Sequence, residues 1–479
     1  MANSSNTLYW YDYESFGLNP MFDRLAQFGG VRTDMDLNII DEPLMIYCKP
    51  ANDFLPNPTS CLITGITPQK ARAEGLPEVE FIRRINDEFT QPNTCVLGYN
   101  SLRFDDEFTR YSLYRNLLDP YAREWKNGCS RWDLLDVVRM TRALRPEGIE
   151  WPTNDEGRPS VRLEDLTIAN GISHESAHDA LSDVYATIAV AKLIKEAQPK
   201  LYQYALENRN KNKILKLLNV REQKPVLHVS GMYPMEQGNL AVVVPVAAHP
   251  TNKNGVIVFD LSCDPTPLYK LSKEDIHQRI FTPTAELPEG VERLPLKTVH
   301  ANKCPIIAPL ATLTGHAAKK YKVDLNRCRA NLDIIKANPP LMKKLQAVFS
   351  GAQFEKRTDP DQILYGGPFF SNDDRARMDK IQLLTADELK SHAPSFDDSR
   401  LDEMLFRFRA RNYPESLTGD EQARWEEFRS DRLNRPEKGK LTRDEFFAEL
   451  QRLRDEPERS GNDWAILDEV EQYGKSITT

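Results

Sequence analysis

The hydrophobic pattern changes character twice along the 479 residues, near positions 199 and 353, and this restricts the chain to an architecture of several parts. A chain this long exceeds one ordinary core, so two to four domains are expected. Before residue 199, strand-like runs at 7–13, 27–32, 43–47 and 94–97 precede or alternate with helical spacing at 78–89, 105–117, 132–144, 163–169 and 180–197. Strands followed by alternating helices predict a mixed sheet with helices packed on it. Pro199 reads as a stop, followed by a basic run at 209–213. The β-rich stretches 226–230, 240–246 and 255–261 then predict a small β-domain, completed by helices at 325–336 and 340–349. Beyond 353, segments 402–410, 419–433 and 442–453 mix charge with apolar residues as solvated helices do.

Composition narrows the class. No apolar run approaches the roughly 18 residues of a membrane helix. The first eight residues are polar, so no secretory signal is expected. Seven cysteines are scattered without a CxxC pair, which argues against a disulfide framework or a structural zinc site and for a reducing cytoplasm. The formal net charge of −8 means that any path for nucleic acid must be a local basic stripe on an acidic body.

Three acidic signals carry chemistry. Asp12 and Glu14 stand two apart at the end of the first strand, so they project from one face and repel unless a cation lies between them. Asp105 opens a helix after the glycine turn at Gly98, where an N-cap is the ordinary alternative. His178 precedes a long helix and Asp183 follows it by five residues, among Ala180, Leu181, Val184 and Ala186, whose apolar company calls for a metal or a partner. Alone, each has a plain structural reading; the order Asp-x-Glu, Asn-x-x-x-Phe-Asp, His-x-x-x-x-Asp is more specific.

That order resembles the DEDD superfamily of 3′→5′ exonucleases in its His-containing branch. Segments 12–17, 98–107, 130–136, 144–151 and 178–191 are similar to bacterial exonuclease I. The likeness extends through 228–232, 302–305 and 365–371. It implies an α/β ribonuclease H-like exonuclease domain (1–199), an SH3-like β-barrel domain (200–352) and an all-α C-terminal domain (353–479). It further implies hydrolysis of single-stranded DNA from the 3′ end to nucleoside 5′-monophosphates, in DNA repair and recombination.

By this resemblance, Asp12, Glu14 and Asp183 hold two Mg2+ ions, for which Mn2+ can substitute, and Asp105 completes the set through a water. His178 is the expected general base, its ordinary pKa near 6.5 suiting neutral conditions. Asp179 is expected to cap the helix or support the ligands from behind. Glu14 and Arg162 are expected at the terminal nucleotide, with Phe16 and Leu18 against its base or sugar. Arg110, Tyr121, Trp125 and Arg139 supply the cationic and aromatic interleaving that grips a single strand. Lys211 is expected on the far wall of a clamp formed by the three domains, its alternative being a solvated linker. The family also binds the acidic C-terminal tail of single-stranded DNA-binding protein; Arg145, Tyr204 and Lys224 match positions used for that, whereas Pro309 and Thr314 depart from it. A monomer without membrane attachment is expected. A ribonuclease or proofreading subunit of the same superfamily, or a non-catalytic protein on the same fold, are the competing readings.

Overall fold

The computed structural model describes residues 6–174, 179–338, 341–351, 357–391, 394–457 and 459–478. Contacts divide the chain into two units. One joins 1–130, 174–188 and 356–479; the other joins 131–173 and 189–355.

In the first unit, β1 (Thr7–Ser15), β2 (Leu25–Thr33), β3 (Leu44–Tyr47) and β4 (Thr94–Gly98) lie in the order β3-β2-β1-β4. The first two neighbouring pairs are antiparallel and β1–β4 is parallel, so the sheet is mixed. Tyr9, Tyr11 and Tyr13 alternate onto one face of β1 and pack with Phe28, Phe89 and Phe108. The same alternation turns Trp10, Asp12 and Glu14 to the other face. Helices α1 (Pro58–Thr64), α2 (Pro68–Glu74), α3 (Glu78–Phe89) and α4 (Asp105–Arg115) belong to this unit. The start of α1 shows how locally the ends are specified: Asn57 accepts from Thr59 N and Ser60 N, Pro58 follows, and Gly65 at φ 67° ends the helix.

The chain continues through β5 (Ser130–Asp133), α5 (Leu134–Leu144), α6 (Leu163–Ala169), α7 (Ala180–Ala197), α8 (Pro199–Glu207) and α9 (Lys211–Leu217). Two readings change here. Trp132 and Asp133 are extended, and Asp133 caps α5 by accepting from Leu135 N. α7 ends at Ala197, just before Pro199 as expected of a stop, and Pro199 then opens α8, because its missing N–H costs nothing at a first-turn position. The basic run at 209–213 is no linker: Asn210 caps α9 through Asn212 N.

The second unit holds an antiparallel sheet of β6 (Val226–Val229), β7 (Leu240–Ala248), β8 (Gly255–Asp260), β9 (Leu296–His300) and β10 (Ile306–Pro309), ordered β10-β6-β7-β8-β9. Val226, Val243, Val258, Val299 and Ile307 fill its core with Ile214 of α9. The helices α10 (Pro267–Lys270), α11 (Lys273–Phe281), α12 (Gly315–Lys320), α13 (Leu325–Lys336) and α14 (Leu341–Ser350) complete it.

The C-terminal stretch is helical: α15 (Asn372–Ile381), α16 (Ala386–Ser391), α17 (Ser399–Asn412), α18 (Gly419–Asn434), α19 (Arg443–Arg454) and α20 (Gly461–Thr478). Reciprocal capping boxes, Thr418 with Glu421 and Thr442 with Glu445, start α18 and α19. These helices share cores with the N-terminal segment. Phe16, Phe54, Leu55 and Ile66 pack with Leu433, Phe446, Leu467 and Val470, and Tyr111, Tyr114 and Leu117 pack with Met378, Leu401 and Leu405. A buried ionic cluster ties the same segments. Asp53 Oδ2 lies 2.9 Å from Arg411, 3.4 Å from Arg432 and 3.5 Å from Arg24, while Asp361 Oδ2 lies 2.6 Å from Arg411 and 3.1 Å from Arg407. Among the described residues, no helix is long and apolar enough to cross a membrane.

Candidate active site

Asp12, Glu14 and Asp183 converge: one carboxylate oxygen from each lies within 4.8 Å of those of the other two. β1 supplies the first two on one face, and α7 supplies the third one turn from its start. Glu14 is buried and the other two are partly buried. Three carboxylates this close, drawn out of water, repel. Burial and the neighbouring Asp12 and Asp183 raise the Glu14 pKa to about 9. Asp12 is likewise pushed well above the ordinary carboxylate range, by burial first and Asp183 second. Hard oxygen donors held together against their own repulsion suit a divalent cation such as Mg2+, so the residues present fit the expected ions.

Asp105 stands at the first position of α4, buried, and is outside this group of three. It is not the N-cap; that position belongs to Phe104, which makes no side-chain capping bond. The turn before α4 depends on Gly98, where a Cβ would lie 2.5 Å from the carbonyl oxygen of Tyr11. Neighbouring Asp106 is structural, pairing with Arg123 at 2.7 Å and accepting from Tyr11 OH at 3.2 Å. His178 lies outside the described residues. Asp179 caps α7: Oδ1 accepts from Ser182 N at 3.1 Å and Oδ2 from Gln27 Nε2 at 3.1 Å.

Two residues near the centre were not singled out from the sequence. His174 Nε2 lies 2.5 Å from Asp183 Oδ1, with the imidazole nearly buried. Its place nine residues before Asp183, in the same segment as His178, was the available signal. Gln27, on the strand beside β1, had none.

The strand-gripping set divides. Phe16 is a correction: it is 1% exposed and packs on Phe54 at 6.1 Å, so no ring face is open to a nucleotide. Arg110 is a second correction. Its guanidinium is buried and engaged by Glu124 at 2.8 Å, Glu107 at 2.9 Å and Tyr365 OH at 3.0 Å, which leaves it no reach toward a phosphate. Leu18 and Trp125 are exposed. Tyr121 meets Phe369 edge-on at 5.9 Å; Phe369 and Tyr365, both exposed, extend the aromatic surface beyond what the sequence reading named.

In the second unit, Arg162 is exposed at the cap position of α6, 3.4 Å from Glu164. Arg139 bonds Asp136 at 2.7 Å and fills the space a side chain at Gly231 would need. Lys211 is exposed at the first position of α9. Arg145 donates to Thr312 O at 3.1 Å and Tyr204 OH to Ile307 O at 2.9 Å, which places both beside β10 and the turn after it. Lys224 is exposed and pairs with Glu222 at 2.7 Å. Pro309 ends β10, and Thr314 caps α12.

Comparison with known proteins matches three family models in succession: Exonuclease over residues 9–191, Exonuclease I SH3-like domain over 209–351 and Exonuclease I C-terminal domain over 358–477. An exodeoxyribonuclease I from Haemophilus influenzae is 49% identical over 466 residues, 97% of each chain. The solved structure of a moderately thermophilic exonuclease I from Methylocaldum szegediense superposes with a TM-score of 0.95 at 53% identity, covering 99% of this chain and 100% of that one. Escherichia coli exonuclease I in complex with a dA16 oligonucleotide superposes at 0.94 with 45% identity, again covering 99% and 100%.

Proposed function

The chain belongs to the exonuclease I family, a hydrolase family, and from that premise we propose that it is a Mg2+-dependent 3′→5′ exodeoxyribonuclease that degrades single-stranded DNA to nucleoside 5′-monophosphates. The observation that carries the reading is the convergence of Asp12, Glu14 and Asp183 from two distant segments. The oligonucleotide-bound relative supports single-stranded DNA as the substrate.

In this reading Asp12, Glu14 and Asp183 would hold two Mg2+ ions, or Mn2+ in their place, and Asp105 would complete the set. When bound, such ions would supply charge neutralisation to the phosphate oxygens. His178 takes the proton of the attacking water. The water oxygen forms a bond to phosphorus as the bond to the 3′ oxygen breaks, and that oxygen takes a proton from solvent, leaving a shortened strand with a 3′-hydroxyl and a free 5′-monophosphate. Arg162 and Glu14 orient the terminal nucleotide. Tyr121 and Trp125, joined by Tyr365 and Phe369, offer ring faces for bases, and Arg139 and Lys211 offer charge. Arg145, Tyr204 and Lys224 receive the acidic tail of single-stranded DNA-binding protein. The domain division 1–199, 200–352 and 353–479, a monomeric state, a cytoplasmic location and a role in DNA repair belong to the same proposal.

The test is digestion of end-labelled single- and double-stranded DNA and of RNA, with Mg2+ and with chelator. Release of mononucleotides from the 3′ end of single-stranded DNA, stopped by chelator and by Asp183→Ala, is expected. His178→Ala should cut turnover severely while DNA binding survives. Equal degradation of duplex or RNA, or full activity in Asp183→Ala, would overturn the reading.

A further inference from the structure

The helix that carries Asp183 is seated on β2, and we infer that Gln27 is the positioning residue that fixes where Asp183 stands relative to Asp12 and Glu14. Gln27 is 1% exposed, and a carboxamide this deep is tolerated only if both ends are hydrogen-bonded. Its Oε1 accepts from Ala180 N at 3.2 Å. Its Nε2 donates to Asp179 Oδ2 at 3.1 Å and to Tyr47 OH at 3.3 Å. Asp179 passes the constraint on: its Oδ1 accepts from Ser182 N at 3.1 Å and its carbonyl from Asp183 N at 3.0 Å. The first turn of a helix has N–H groups with no partner inside the helix. Here that of Ala180 is held by Gln27 and that of Ser182 by the cap that Gln27 orients, while Asp183 N makes the first ordinary bond of the helix to the Asp179 carbonyl.

A second observation points the same way. A Cβ on Gly29 would lie 2.5 Å from Leu181 N and 2.6 Å from Ala180 C, so the β2 backbone meets the backbone of α7 with no side chain between them. Gly29 is paired with Asp12, and Gln27 with Glu14, in the β1–β2 register. The strand bearing two carboxylates is therefore registered, residue for residue, against the strand that seats the third. Magnesium requires oxygen ligands at about 2.0–2.1 Å, so a loosened helix start is felt at once in affinity.

This inference rests on the metal reading of the three carboxylates, and the experiment separates the two. Mn2+ binding to the full chain is measured by electron paramagnetic resonance for wild type, Gln27→Met and Gln27→Asn, together with kcat and KM on a single-stranded oligonucleotide across Mn2+ concentrations. Gln27→Met keeps the volume without the hydrogen bonds. Gln27→Asn keeps the amide but falls one methylene short of α7, and carries the test if the methionine variant does not fold. Affinity for Mn2+ is expected to fall about tenfold, the scale of loss on removing a partner that orients metal ligands. The expected kcat recovers as Mn2+ is raised, with KM for DNA within twofold of wild type. No Mn2+ binding by wild type sinks the metal reading itself. Wild-type binding matched within twofold by a folded variant, or a kcat loss that no Mn2+ concentration restores, overturns the role of Gln27 alone.

Discussion

Replacing Glu14 with glutamine should make the metal-free protein more stable while abolishing hydrolysis. In the folded chain, burial and the neighbouring Asp12 and Asp183 raise the Glu14 pKa from 4.5 to about 9. A carboxyl group in that position binds its proton more tightly folded than unfolded, so the folded state loses ground as pH climbs from about 4.5 toward 9. At about pH 7.5 the group has crossed three of those pH units, worth about 4 kcal/mol. Glutamine keeps the shape and carries no charge, and so recovers up to that amount. In a domain of a few hundred residues each kcal/mol moves the midpoint by roughly 2–4 °C. The assay is thermal unfolding in chelator at several pH values between 5 and 9. Wild type and Glu14→Gln should nearly coincide at the acid end and separate by several degrees near pH 7.5, the variant higher. Added Mg2+ should raise wild type and leave the variant where it was. A wild-type midpoint in chelator that is flat from pH 5 to 8.5, or a variant no more stable at pH 7.5, would refute the claim that the site stores carboxylate repulsion.

Asp53→Asn should cost about 3–5 kcal/mol in denaturant unfolding, because it leaves Arg24, Arg411 and Arg432 buried without their shared carboxylate. The guanidinium groups also hold Asp53 and Asp361 below the usual carboxylate range, so their stabilisation is present above about pH 4 and lost as pH falls below it; acid unfolding of Asp53→Asn should have a shallower slope than wild type. Arg110→Ala should lower the unfolding midpoint yet leave KM for a single-stranded oligonucleotide within twofold, since its charge is taken by Glu107 and Glu124; a large rise in KM would return it to the DNA path. Lys224→Ala should weaken binding of an acidic tail peptide measured by fluorescence anisotropy, and an unchanged affinity would remove Lys224 from that surface.

Local chemistry was legible in the sequence; long-range seating was not. The two-residue period of β1 announced that Asp12 and Glu14 share a face, and the apolar spacing of residues 180–197 gave α7 its full extent. Phe16 shows where such reading stops. A register shift between Glu14 and Ser15 breaks the alternation just before it, and the ring goes to the core beside Phe54. For Arg110, Glu107 three residues earlier was a visible partner, but Glu124 and Tyr365 reach it only through the fold. Gln27 meets Asp179 across 152 residues, a pairing that no periodicity encodes. Nor does an amphipathic helix name what it covers. The charged pattern beyond residue 353 forecast helices, but not that they would close the core beside the first strand.

That closure has a consequence for how the enzyme comes into being. The apolar residues around Phe16, a few positions past the acidic pair, are roofed by Leu433, Phe446, Leu467 and Val470. A ribosome translates in order and folding follows as segments emerge. Until the stretch through α20 has left the exit tunnel, Phe16 and its neighbours lack the side chains that cover them. A chain cut short before α18 would therefore leave Phe16 and its apolar neighbours without that cover.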